Sequence, residues 1–259
     1  MSTRKREPMS RIRKAYFCRL VLRVLIFILT VMLYICTPSA FDVLQGNAFF
    51  EKFSPLHLVW AVWMADMIQQ LIPVKDQLPL GSQKVFRQRF RPVRERINAE
   101  ALKAYVVSTT RSAFKVVILW GALVAVLSIL YRTGVLSAAH LFLISTAFYV
   151  CDLICVLIWC PFRLILKNRC CTTCRIFNWD HLMMFTPMLL VCSFFTSSLL
   201  LLAVAVWMVW EFCVLIHPER FWYKSNAALQ CAACTDKLCT QYCQKLRRPE
   251  KKQKEAAKE

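Results

Sequence analysis

Five apolar runs, each near the length that crosses a bilayer, constrain this chain more than any other feature. They lie at about Leu20 to Cys36, Leu56 to Ile72, Phe114 to Tyr131, Leu136 to Cys160 and His181 to Ile216. A hydrocarbon core about 30 Å thick takes roughly 20 apolar residues of helix to span. Backbone polar groups in lipid must be satisfied within the segment, which makes helix the local solution. With 58% hydrophobic residues in 259, a soluble domain is a poor fit. The expected fold class is all-α: a polytopic integral membrane helical bundle of four to six transmembrane helices.

The fifth run decides the topology. His181 to Ile216 is about 35 residues with only Glu211 charged after His181, or roughly 50 Å of helix at 1.5 Å per residue. It is therefore either one long tilted span or a tight hairpin turning near Thr196, Ser197 and Ser198. A single span puts the segments on either side of it in different compartments. A hairpin puts them in the same one.

Charge sets the expected orientation. The net charge is +19, and the basic residues come in blocks between apolar runs. That pattern reads as an orientation signal plus attraction to a bilayer with anionic headgroups, and nucleic acid is not expected. Arg4 to Arg23 precede the first run, ten basic residues lie from Lys75 to Lys115, and the loop from Thr37 to Ser54 holds only Lys52. The positive-inside rule then places the N-terminus in the cytoplasm and the chain in the cell (inner or plasma) membrane, multi-pass, with segment 56–72 crossing. Arg19 and Arg23 are expected to snorkel to the inner interface. The organisation is a basic N-terminus 1–19, a transmembrane domain 20–216 and a basic, cysteine-containing tail 217–259. The transmembrane domain includes a basic segment 74–113 and a cysteine loop 161–181.

Cysteine spacing supplies the chemistry. Cys170, Cys171 and Cys174 stand before the fifth run; Cys231, Cys234, Cys239 and Cys243 stand beyond it. Cys171-x-x-Cys174 and Cys231-x-x-Cys234 together offer four thiolates, as structural zinc sites do, and the same sulfurs suit an iron–sulfur cluster. The metal stays undecided between the two. The first expectation is a cytoplasmic thiolate metal site, which as an electron-transfer or redox component would have a redox partner. A membrane thiol–disulfide oxidoreductase is the alternative, because exchange needs cysteine pairs at helix ends. A non-catalytic scaffold with a zinc-stapled tail is the third reading. The motifs for phosphate loops, zinc hydrolases and serine nucleophiles are absent from the chain.

Inside the apolar runs four polar residues are candidates. Asp66 and Asp152 fall past the middle of their spans at similar depth, where two carboxylates could share a proton or carry a cation. The plainer reading is a helix cap or a hydroxyl partner across the bundle. His57 and His140 fall near the outer ends of their spans, where they either bind haem or metal or sit at the interface. Asp180 is placed to cap the helix that follows it.

Overall fold

A computed structural model of the chain describes residues 10–71, 90–93, 97–166 and 179–230. The described residues are helical, with no strand and only two isolated β-bridges. The first helix, α1 (Arg11–Cys36), starts where Ser10 accepts a hydrogen bond from the Arg13 backbone N–H at 3.2 Å, satisfying one of the orphan donors of the first turn. A 3₁₀ turn (Pro38–Leu44) and the short α2 (Ala48–Glu51) follow, then α3 (Leu56–Leu71). The next helix, α4 (Ala99–Arg132), is one continuous element of 34 residues, capped by Asn98. Its first half carries the basic residues, so its apolar part is the span, as expected.

A tight turn joins α4 to α5 (Ala138–Leu157). Gly134 takes φ 78° there, a left-handed conformation that glycine adopts without a Cβ penalty. The Ser137 hydroxyl and His140 then form a reciprocal capping box at the start of α5. Beyond α5 come α6 (Phe162–Leu166), α7 (Asp180–Phe185), a 3₁₀ turn (Thr186–Met188) and α8 (Phe194–Ile216).

Among the described residues four helices, α1, α4, α5 and α8, are long and apolar enough to cross a membrane. Apolar side chains such as Leu29 and Ile35 on α1, Ile118 and Ile129 on α4, and Leu201 and Leu215 on α8 face outward. Such a girdle is what lipid, not water, covers. The core lies between the helices. Trp63 and Met67 of α3, Phe142 and Tyr149 of α5, Phe185 of α7, and Phe195, Leu199 and Trp210 of α8 are all buried in it.

The contacts fix the direction of each helix. Tyr16 and Leu20 of α1 pack with Val150, Leu153 and Leu157 of α5, while Tyr34 reaches His140, so α1 and α5 are antiparallel. The end holding Arg11 and the start of α4 is the basic end. At the opposite end Trp60 Nε1, near the start of α3, donates to Ser198 Oγ, near the start of α8, at 2.9 Å. Gln70, near the other end of α3, meets Asp180 at the start of α7. Thus α3 runs the depth of the bundle, although at 16 residues it is about 24 Å long and short for a span.

The run His181 to Ile216 is a hairpin, but not one of two equal helices turning at Thr196 to Ser198. The first arm is α7, then the 3₁₀ turn at Pro187, then an extended stretch to Ser193. There Ser193 bridges to Gly46 in the loop at the end opposite the basic one. The turn sits here because Ser193 caps α8: its hydroxyl accepts from the Thr196 N–H at 3.3 Å. Thr196, Ser197 and Ser198 are the first turn of the return helix.

Consequently the segments around both cysteine clusters meet at the basic end. Leu166 packs with Ala113 and Val116 of α4, and Trp179 and Met183 join them. Trp179 Nε1 donates to Glu211 near the end of α8 at 2.8 Å. After α8 the chain pairs with the segment preceding α4: Val93 N–H donates to Ser225 O at 3.0 Å, and Ala227 N–H to Arg91 O at 2.8 Å.

This arrangement predicts a labelling pattern. In cells expressing single-cysteine variants, Lys52→Cys and Val135→Cys should react with an impermeant maleimide from one side. Lys103→Cys and Lys224→Cys should react only from the other. Reaction of position 224 from the same side as position 52 would mean that α8 does not return.

Candidate functional site

The helix faces converge on one buried cation. Arg23, in the middle of α1, is 7% exposed. Its Nη1 donates to Asp152 Oδ2 at 2.7 Å and to the Tyr149 backbone carbonyl at 2.7 Å. Its Nη2 lies 3.5 Å from Asp66 Oδ2. The guanidinium carbon stands 3.8 Å from the centre of the Tyr149 ring. Tyr149 in turn donates its hydroxyl to Asp66 Oδ2. One guanidinium, two carboxylates and a tyrosine from α1, α3 and α5 therefore form one network. Both terminal nitrogens of the guanidinium face acceptors and one of its faces lies against a ring, which is how a buried charge is compensated.

Helical spacing brings these groups together. Ser145, Tyr149 and Asp152 on α5, and Trp63, Asp66 and Gln70 on α3, recur at three- and four-residue intervals, so each set shares a face. Gln70 extends the network one turn beyond Asp66. Its Nε2 lies 3.1 Å from Asp180 Oδ2 and 3.0 Å from His181 Nδ1. His181 Nδ1 is also 2.9 Å from Asp180 Oδ1. Among the described residues, three buried polar atoms on these elements have no hydrogen-bond partner: Trp63 Nε1, Ser145 Oγ and His181 Nε2.

Asp66 and Asp152 both contact Arg23, a residue read from sequence as an interfacial one. Arg23 does not snorkel. It turns inward because two carboxylates and the Tyr149 carbonyl replace its hydration within the bundle. Asp180 is the first residue of α7 and not its cap; Trp179 holds the cap position. The Asp180 carboxylate instead accepts from the His181 backbone N–H at 2.7 Å and faces the His181 ring.

His57 and His140, the two histidines singled out from the sequence, hold loops at the opposite end. His57 Nδ1 lies 2.8 Å from Ser54 O and its Nε2 2.9 Å from Phe49 O, with Phe53 stacked on the ring. His140 Nδ1 lies 2.7 Å from Ser137 Oγ and its Nε2 3.1 Å from the Tyr34 hydroxyl. Both nitrogens of each ring are occupied, so ligation at either would require breaking these bonds. Among the described residues no group of three or more His, Cys, Asp or Glu is disposed to hold a metal ion. The cysteine candidates Cys170, Cys171, Cys174, Cys231, Cys234, Cys239 and Cys243 lie outside the described residues.

No protein-family model, curated protein or solved structure matches the chain.

Removing one partner of a buried, hydrogen-bonded ion pair costs about 3–5 kcal/mol, because the other charge is left without compensation. Arg23→Met should therefore lower stability by that order in detergent unfolding. A surface control, Lys52→Met, which breaks only an exposed pair with Asp42, should cost less than about 1 kcal/mol.

Proposed function

We propose that the chain is a multi-pass membrane protein whose two cysteine segments together build one thiolate metal site at the basic end, holding zinc or an iron–sulfur cluster. The observation that carries this reading is the hairpin. Leu166 and Trp179, which flank the segment with Cys170, Cys171 and Cys174, lie at the same end as Gln230, which precedes Cys231. A single span would have separated the two sets by the thickness of the membrane. With both flanks at one end, a site shared by the two cysteine sets would not have to reach across the membrane.

The compartment follows from the charge pattern. The basic residues at this end put it, and the N-terminus, in the cytoplasm of a cell membrane. Thiols there stay reduced, which favours metal binding over a disulfide relay. An iron–sulfur cluster would make the protein an electron carrier with a redox partner; zinc would make the site structural. Anionic headgroups are the expected lipid partner. On α4, Lys103, Arg111 and Lys115 lie along one face with Glu100, Ser108 and Ser112, where the basic groups can meet phosphate oxygens.

Metal analysis of protein purified anaerobically in detergent tests the proposal. Stoichiometric iron or zinc is expected, and it should be lost both in Cys171→Ser/Cys174→Ser and in Cys231→Ser/Cys234→Ser. Loss in only one of the two variants would contradict a shared site. Metal-free protein with oxidised tail cysteines would overturn the reading in favour of thiol–disulfide exchange.

A further inference from the structure

We propose that Asp66 and Asp152 form a proton-binding site within the membrane, the pair holding one exchangeable proton on one carboxylate or the other, and that His181 is the group through which it exchanges. Charge accounting comes first. Asp66 and Asp152 both contact Arg23, so with both carboxylates ionised the network carries two negative charges against one positive. In a bundle surrounded by lipid an uncompensated charge is costly, and a proton removes it. A metal ion is a poor substitute, because the guanidinium already occupies the space between the two carboxylates and repels a second cation.

The neighbours of the pair suit this role. Arg23 donates to Asp152, and Asp66 takes the Tyr149 hydroxyl with the other guanidinium nitrogen 3.5 Å away, so both carboxylates are held by donors and either can carry the proton. Among the described residues, the ionisable groups around the pair come chiefly from α1, α5 and α7. Arg23 comes from α1, Tyr149 with Cys151 and Cys155 from α5, and Asp180 with His181 from α7. Glu211 of α8 is engaged by Trp179. Gln70, one turn beyond Asp66 on α3, links this pair to His181, whose Nδ1 lies 3.0 Å from Gln70 Nε2.

His181 has the geometry of a relay. Its Nδ1 stands between an acceptor, Asp180 Oδ1 at 2.9 Å, and a donor, Gln70 Nε2 at 3.0 Å. With Nδ1 protonated it donates to Asp180; with Nδ1 bare it accepts from Gln70. The ring thus has a partner in either state, while its Nε2 is buried and has none. Trp63 Nε1 and Ser145 Oγ, on the faces that carry Asp66 and Asp152, are buried and unpartnered as well. Buried polar atoms left over in this way are where proteins keep ordered water. In the exchange, one carboxyl O–H gives its proton by way of such water to a His181 nitrogen, and the imidazolium gives one proton to water at the basic end. No electron pair leaves the protein, and uptake reverses each step.

Infrared spectroscopy of the full chain in liposomes tests this. On acidification the wild type should gain the carbonyl stretch of a protonated carboxyl, and labelling aspartate with ¹³C at the carboxyl should shift that band. Asp66→Asn and Asp152→Asn should each abolish it, since each leaves one carboxylate balanced by Arg23. His181→Gln should keep the band but slow its appearance after a pH jump by about a hundredfold, the low end for loss of a positioned proton-transfer group. A wild type with no titrating, ¹³C-sensitive band would overturn the proposal without recourse to any variant. A band surviving in both Asn variants would assign it to another carboxyl. Unchanged kinetics in His181→Gln would remove His181 from the route. None of these outcomes depends on the cysteines.

Discussion

A guanidinium inside a lipid-embedded bundle must be surrounded by acceptors, and that requirement organises this protein. Arg23 is met by Asp152 and the Tyr149 carbonyl from α5, by the Tyr149 ring, and by Asp66 from α3. Three helices are thereby fixed in depth and rotation relative to one another. Apolar side chains alone do this weakly in membranes, because lipid tails are as apolar as the helix surfaces they replace. The chain contains only four glycines, so close glycine-mediated helix packing contributes little. Polar contacts carry the specificity instead: Trp60 to Ser198, Trp120 to Thr186 and Trp179 to Glu211 each tie one helix or turn to another.

The broken first arm of the hairpin is the second organising element. A 3₁₀ turn and an extended stretch can lie at membrane depth only where protein covers them. Here α3, α5 and α8 do so: Phe185, Met188, Val191 and Phe195 are all buried. The short α7 is held by Asp180 and His181 against Gln70, so the polar network that begins at Arg23 also anchors this arm. Charge placement in the core and topology at the ends are therefore coupled.

The sequence made much of this legible. Apolar runs of spanning length located all the long helices, and the Arg132-Thr133-Gly134 turn and the helix from Asn98 onward were readable from local chemistry. The depth of Asp66 and Asp152 followed from their positions in the runs. Their common partner did not, because Arg23 lies among other basic residues on a stretch where snorkelling is the ordinary outcome; only tertiary contact distinguishes it. Spacing held one clue, since Arg23 is four residues beyond Arg19 and deeper in the apolar run. The turn was misplaced for a related reason. Thr196-Ser197-Ser198 looked like the break, yet Ser193 with Thr196 is the cap, and hydroxyls inside a helix can bond to its own carbonyls. His181 gave no signal of its role at all: a single histidine at the edge of an apolar run acquires partners only when α3 is laid beside it.

The most direct test of the account is a double-mutant cycle between Arg23 and Asp152, read as unfolding stability in detergent for Arg23→Met, Asp152→Asn and the pair. Groups in one buried network couple by roughly 0.5–3 kcal/mol, whereas distant groups add independently. The account predicts coupling in the upper half of that range, with the double variant more stable than the sum of the single losses implies. Simple additivity would contradict it, and would mean that Arg23 does not hold α1 to α5.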